Sequence, residues 1–282
     1  MGSKTGISWT DATWNPVTGC TEVSPGCDNC YARDIATRFI GGKSFPRGFR
    51  VTLRPQRLDD PLKWADRRMI FVNSMSDLFH REIPDDYLRH VWDVMRRADR
   101  HVYQVLTKRA HRMRRRIHDL HLPLLPHVWL GVSVESQELA DNRLPELLRI
   151  PGEDLVRFVS AEPLLGPVDL TSYLPGPNHI ADLGVPGPYA TSIDRLGVER
   201  YDWDRQPVSP LAWVITGGES GPRRRPMHYD WARALRDQCA VAGVPFFYKQ
   251  GNHLRPSRDR VLDGQTHDAM PLIRVATQVG MF

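Results

Sequence analysis

Val128-Trp129-Leu130-Gly131-Val132-Ser133-Val134 is a short, almost unbroken apolar run that stops at Glu135, and residues 136–149 follow it with helical spacing. Such a run, rich in β-branched and aromatic residues, reads as a strand, and its apolar continuity suits a strand covered on both faces. Upstream, 101–107 is a second run of this kind, followed by helical spacing over 109–120; downstream come 155–161, 211–217 and 244–249. Residues 69–75 precede a helix over 84–98, opened by Pro84-Asp85-Asp86, and 228–242 reads as a helix before the last strand. A first strand at 13–17 and a helix over 31–39 complete the series. Strands alternating with helices of this length make right-handed βαβ units and a parallel sheet. Seven such units predict an α/β fold, a partial or open (β/α) barrel of about six to seven parallel strands, with a doubly wound sheet as the second choice.

The chain has 282 residues, 41% hydrophobic and 25% charged, which excludes wholesale disorder and collagen-like structure. No run approaches the length of a membrane-spanning helix, and Met1-Gly2-Ser3-Lys4 does not open an apolar leader, so a cytoplasmic protein without membrane contact is expected. Residues 166–210 hold seven prolines and five glycines and lack periodicity. They read as an insertion between the fifth and sixth strands, suited to a lid or a substrate loop. The expected organisation is therefore a barrel over 1–252 with this insertion, and a tail over 253–282 packed on it, with Leu262-Asp263-Gly264 as a turn.

In parallel barrels, function gathers where strands end. The strand ends here are polar throughout: Thr18-Gly19-Cys20, Asn73-Ser74-Met75-Ser76-Asp77, Thr107-Lys108-Arg109, Ser133 with Glu135, Ser160-Ala161-Glu162, Gly217-Gly218-Glu219-Ser220, and Lys249-Gln250. Three of the four cysteines, Cys20, Cys27 and Cys30, sit on the first of these loops, with Gly19 and Pro25-Gly26 allowing a tight backbone. In a reducing compartment, clustered thiols bind metal or do redox chemistry more often than they form disulfides. Three thiolates on one loop suit an iron–sulfur cluster with one iron left open, or a zinc site completed by another ligand. Cys239 falls mid-helix and reads as a small buried hydrophobe.

A three-cysteine loop after the first strand of a (β/α) barrel resembles the radical S-adenosylmethionine enzymes. Cys30-Tyr31-Ala32 and Leu106-Thr107-Lys108 resemble their spore photoproduct lyase branch. The resemblance implies a 4Fe-4S cluster on Cys20, Cys27 and Cys30, with S-adenosylmethionine on the open iron. It also implies Lys108 as partner of the cofactor carboxylate. Ser74 and Ser76 stand where that group binds the methionyl amine, and Ser133, Glu135 and Glu162 complete the cofactor-binding candidates. The cysteine spacing here is x6 then x2, against the common x3 then x2, and Asn29 occupies the usual aromatic position. Nearly the whole chain resembles a phage-type three-cysteine family known as a domain of unknown function. The matching pieces include Trp14-Asn15-Pro16-Val17-Thr18-Gly19-Cys20, Ser160-Ala161-Glu162-Pro163-Leu164 and Gly217-Gly218-Glu219-Ser220-Gly221.

Formal charge is 38 − 33 = +5, and it is unevenly placed. Positions 96–116 hold nine basic residues against Asp99 alone, a local +8. Arg109, Arg112 and Arg116 share one helical face, and Arg223-Arg224-Arg225 follow the sixth strand; both groups are expected to meet the phosphates of DNA or RNA. The expected function is a radical enzyme acting on a nucleic-acid base, in repair or modification, supplied by an electron donor. A zinc-holding nucleic-acid-binding or regulatory protein on the same barrel is the alternative.

Overall fold

The computed structural model describes residues 5–176, 191–193, 199–201, 209–253 and 259–272. Seven parallel strands form one sheet that curls into a half barrel: β1 (Ala12–Trp14), β2 (Met69–Val72), β3 (Val102–Thr107), β4 (Val128–Ser133), β5 (Arg157–Ala161), β6 (Trp213–Gly217) and β7 (Phe246–Gln250). They pair in chain order from β1 to β7 without reversal. A doubly wound sheet would double back at a switch point, so that second choice is excluded. Five helices alternate with them: α1 (Tyr31–Arg38), α2 (Asp85–Arg97), α3 (Ala110–Asp119), α4 (Gln137–Leu148) and α5 (Tyr229–Ala242).

Alternation of side chains along each strand gives the sheet two different apolar faces. Ile70, Val105, Val132, Val159 and Val214 point outward and pack with Met95, Met113, Leu144, Leu235 and the buried Cys239 of the helices. Phe71, Trp129, Phe158, Trp213 and Phe247 fill the concave face with Trp9. Trp213 is the hub, with ring centroids 5.6 Å from Phe158, 5.8 Å from Trp129 and 6.1 Å from both Trp9 and Phe247. Gly131 explains how so many rings fit. It pairs in register with Phe158, and a Cβ there would run into the Phe158 ring.

The strands begin and end close to the sequence expectation, and two differences have local causes. The first strand stops at Trp14 because Pro16 offers no N–H; Val17–Thr18 then pairs antiparallel with Thr52–Leu53. The second strand stops at Val72 because Asn73 adopts φ 60°, the left-handed region. Most of 166–210 lies outside the described residues; within it, Thr191–Ile193 pairs antiparallel with Glu199–Tyr201. In the tail, Val261–Leu262 and Gln265–Thr266 form a hairpin through Asp263 and Gly264, at φ 53° and 78°. Two successive positive φ values are the requirement of a type I′ turn. The tail is tied to the barrel where the Tyr248 backbone amide donates to the His267 carbonyl at 2.7 Å and the Trp213 indole to that of Ala269 at 2.9 Å. None of the described helices is long and apolar enough to cross a membrane.

Candidate functional site

Above the aromatic fill, at the carboxyl ends of the strands, lies a cavity of about 560 Å³. Its floor is Trp9, Phe71 and Leu106; its walls carry Cys30, Lys108, Ser133, Ser160, Glu162 and Lys249. Of the sequence candidates, Cys30, Lys108, Ser133 and Glu162 thus share one cavity. Glu135 stands directly behind its wall, accepting from Lys108 and, at 2.9 Å each, from Ser24 and Arg143. The Glu135 side chain is 1% exposed and Lys108 19%. One carboxylate therefore faces two cations, and the group keeps a net positive charge with its only accessible member, Lys108, at the cavity. Partly buried charges of this kind act strongly on an incoming anion because water screens them less. Lys249 pairs with Glu162, and both line the same cavity.

Ser74 and Ser76 are not cavity residues. The Ser74 hydroxyl bonds Asn15, its carbonyl accepts from the Tyr31 hydroxyl at 2.6 Å, and Ser76 donates to the Val17 carbonyl. They fasten the second strand's loop to the first.

The cysteine loop is pinned from several sides. Arg109 donates to Asp77 at 3.0 Å, to the Thr21 carbonyl at 3.0 Å and toward the Cys20 sulfur at 3.6 Å. Asp77 in turn accepts from Thr107 at 2.8 Å. The Thr21 hydroxyl bonds His80 at 2.8 Å. At the other end of the loop, Asn29 donates to Glu219 at 3.0 Å, and Arg225 joins Glu219 to Asp28 and to the Pro25 carbonyl. Gly19 allows the chain to pass tightly, since a Cβ there would strike the Arg50 carbonyl. Burial, with Asp77 nearby, pushes the Cys20 thiol up to about 11 against the help of Arg109, and burial also raises Cys30. Both stay protonated at neutral pH, so metal loading would release protons and strengthen as pH rises.

Three free thiols lie on one loop, one of them on the cavity wall, and thiols are the donor type that a cluster with an open position takes. Cys20 is turned toward Arg109, and among the described residues no three His, Cys, Asp or Glu side chains are gathered as a metal-ligand group.

The nucleic-acid candidates are mostly engaged internally. Besides Arg109 and Arg225, Arg116 pairs with Asp85 and Asp119, and Arg223 with Asp34. Arg224 donates to the Asn252 carbonyl at 2.6 Å. Arg112 lies near Arg116 and Asp85, with its Nε buried and without a partner among the described residues. Asp77 and Lys249, named in the sequence only as polar strand ends, and Arg143, not singled out there, also take part in the site. Lys249 ends a strand, which was the available signal; Arg143, mid-helix, had none.

Among solved structures, the chain is similar at 12% identity to a Cys-to-Ser mutant of spore photoproduct lyase, over 84% of this chain and 63% of that one, with a TM-score of 0.43. It is similar at 11% identity to a doubly substituted mutant of that lyase with bound AdoMet and dinucleoside spore photoproduct, over 82% and 61%, with a TM-score of 0.39. The chain thus spans about three-fifths of those lyase chains. No curated protein matches it. A family model described as "Protein of unknown function (DUF5131)" matches residues 4–271, and the chain belongs to that family.

Proposed function

We propose that this chain is a radical S-adenosylmethionine enzyme with a nucleic-acid-related substrate. The observation that carries the reading is the meeting, at one cavity, of the cysteine loop and the Lys108–Glu135–Arg143 group at the carboxyl ends of a parallel half barrel. Cys20, Cys27 and Cys30 would hold the cluster. Reductive cleavage of a sulfonium is the chemistry it would supply when bound.

The protein's own residues do the rest. Lys108, oriented by Glu135, presents an ammonium to a carboxylate entering the cavity. Arg143 fixes Glu135 and also donates to the Ser133 carbonyl at 2.7 Å, so the carboxylate cannot swing away. Ser133 and Ser160 offer hydroxyls, and Trp9, Phe71 and Leu106 close the floor against water. A nucleobase reacting there would have to leave its stack, at a cost of about a few kcal/mol.

The test is anaerobic purification with iron and sulfide. The expected protein is brown, with a broad visible absorption, and yields 5′-deoxyadenosine from S-adenosylmethionine after reduction. Cys20→Ala, Cys27→Ala or Cys30→Ala should each abolish the colour, while Cys239→Ala, buried in α5, should keep it. A colourless, zinc-loaded protein would overturn the reading in favour of a zinc-holding nucleic-acid-binding protein.

A further inference from the structure

A cluster of positive charge without carboxylate partners among the described residues lies away from Arg109, Arg112, Arg116 and Arg223–Arg225. From Ile35 to Leu58 the sequence contains no acidic residue, yet it carries Arg38, Lys43, Arg47, Arg50, Arg54 and Arg57. Arg54 is buried and Arg57 pairs with Asp60. The other four are exposed and have no carboxylate partner among the described residues. Arg47 bonds only the Thr52 hydroxyl and the Val51 carbonyl, both neutral.

The same segment exposes apolar surface. Helix α1 turns Ala32 and Ala36 inward onto Phe45 and Met75, making a small core of its own. Ile35 and Phe39, one helical turn apart, are left outside, 37% and 56% exposed, with Ile40 at 65%. A helix with one apolar stripe packed and a second one bare is poorly suited to plain solvent. The surface also adjoins the cysteine loop: Cys30 caps α1, and the Cys20 amide donates to the Phe49 carbonyl at 3.1 Å.

We infer that Arg38, Lys43, Arg47 and Arg50, with Ile35, Phe39 and Ile40 among them, form a docking surface for single-stranded nucleic acid beside the cavity. Unpaired cations neutralise backbone phosphates, and an exposed aromatic offers a base a stacking partner that tolerates any sequence. Strongly exposed apolar side chains amid cations with no acid between them match that chemistry better than they match an ordinary solvated face. This deepens the proposed nucleic-acid-related substrate, but its test needs neither cluster nor cofactor, so the two readings fail separately.

The experiment follows the anisotropy of a fluorescein-labelled single-stranded oligodeoxynucleotide with the full-length protein over a range of salt. Lys43→Ala and Arg50→Ala should each flatten the log–log salt slope by roughly 0.7, one single-strand phosphate each. Phe39→Ala should weaken binding at least about fivefold with the slope unchanged. The substituted side chains are exposed and make no side-chain hydrogen bond or ion pair with the described residues, so circular dichroism and melting should match the parent. Salt slopes indifferent to Lys43 and Arg50, or affinity indifferent to Phe39, would overturn the inference. Poly-glutamate competing as well as the oligonucleotide would also overturn it and assign the surface to an acidic protein.

Discussion

The two ends of the concave face are built from the same strands and serve opposite purposes. On β4, Trp129 lies at the lower end and Ser133 at the upper; on β5 they are Phe158 and Ser160; on β7, Phe247 and Lys249. Each pair is an even number of residues apart, so both members face the same way. Below, rings pack on rings around Trp213 and hold the sheet's curl. Above, polar groups satisfy one another around the cavity. The contrast shows that a barrel separates packing from chemistry by height along a strand, not by assigning whole strands to one task.

The largest effect should come from the lower end. Trp213→Ala removes the ring that four aromatic neighbours share, together with its bond to the Ala269 carbonyl. Truncation of a fully buried Trp costs about 3–5 kcal/mol. Urea denaturation should show that loss in midpoint stability, and a cost below about 1 kcal/mol would break the comparison, because the rings would then not be what supports the cavity.

A smaller, chemically different effect is expected at the upper end from Glu135→Gln. The substitution keeps the shape but leaves Lys108 and Arg143 facing a neutral amide. Removing one partner of a buried pair costs about 3–5 kcal/mol; Lys108 can still reach the cavity, so roughly 2–3 kcal/mol is expected here. Adding Lys108→Met should recover part of it, since one uncompensated charge is removed. If the double variant is less stable than Glu135→Gln alone, charge balance is not what organises the upper end.

The upper end was also harder to read from sequence than the lower. The seven sheet strands and the five described helices overlap the runs that periodicity marked, the first two strands ending about three residues early, because strand and helix patterns are local properties of the chain. The aromatic fill follows from the same alternation. The ion pairs do not. Ser24 meets Glu135 across 111 residues and Asn29 meets Glu219 across 190, and no spacing rule connects such positions. Lys108 stands out in the sequence because it follows a strand end, and the three cysteines because they cluster on the loop after the first strand. The engagement of Arg223 and Arg225 was not, since a run of arginines looks alike whether it faces phosphate or the protein's own carboxylates. Position along the chain says that a charge exists; only the packed rim says whether it is already answered.

The smallest expected effect concerns acid. Burial tends to raise the Glu219 carboxyl, but the bonds from Arg225 and Asn29 outweigh this and hold it below the usual glutamate value. A folded-state value lower than the unfolded one means that the carboxylate's contribution is complete above the ordinary range, near pH 4.5. It is lost as pH falls through the lower folded value. What is lost is the tie between the β6 rim and the Cys27–Cys30 end of the cysteine loop, because Glu219 holds both Asn29 and Arg225. Arg225, the cationic partner, is 34% exposed, and an ion pair screened by solvent in this way is worth roughly 1 kcal/mol, so the fold should survive and the loop should loosen. Reaction of the metal-free protein with a pyridyl disulfide, which titrates thiols in acid, should therefore accelerate for Cys27 and Cys30 as pH drops below about 4.5. In Glu219→Gln the reaction should already be fast at neutral pH and should lose that acid-dependent step. Identical pH profiles for the two proteins would show that the loop is held without Glu219, and that the upper end relies on Glu135 alone.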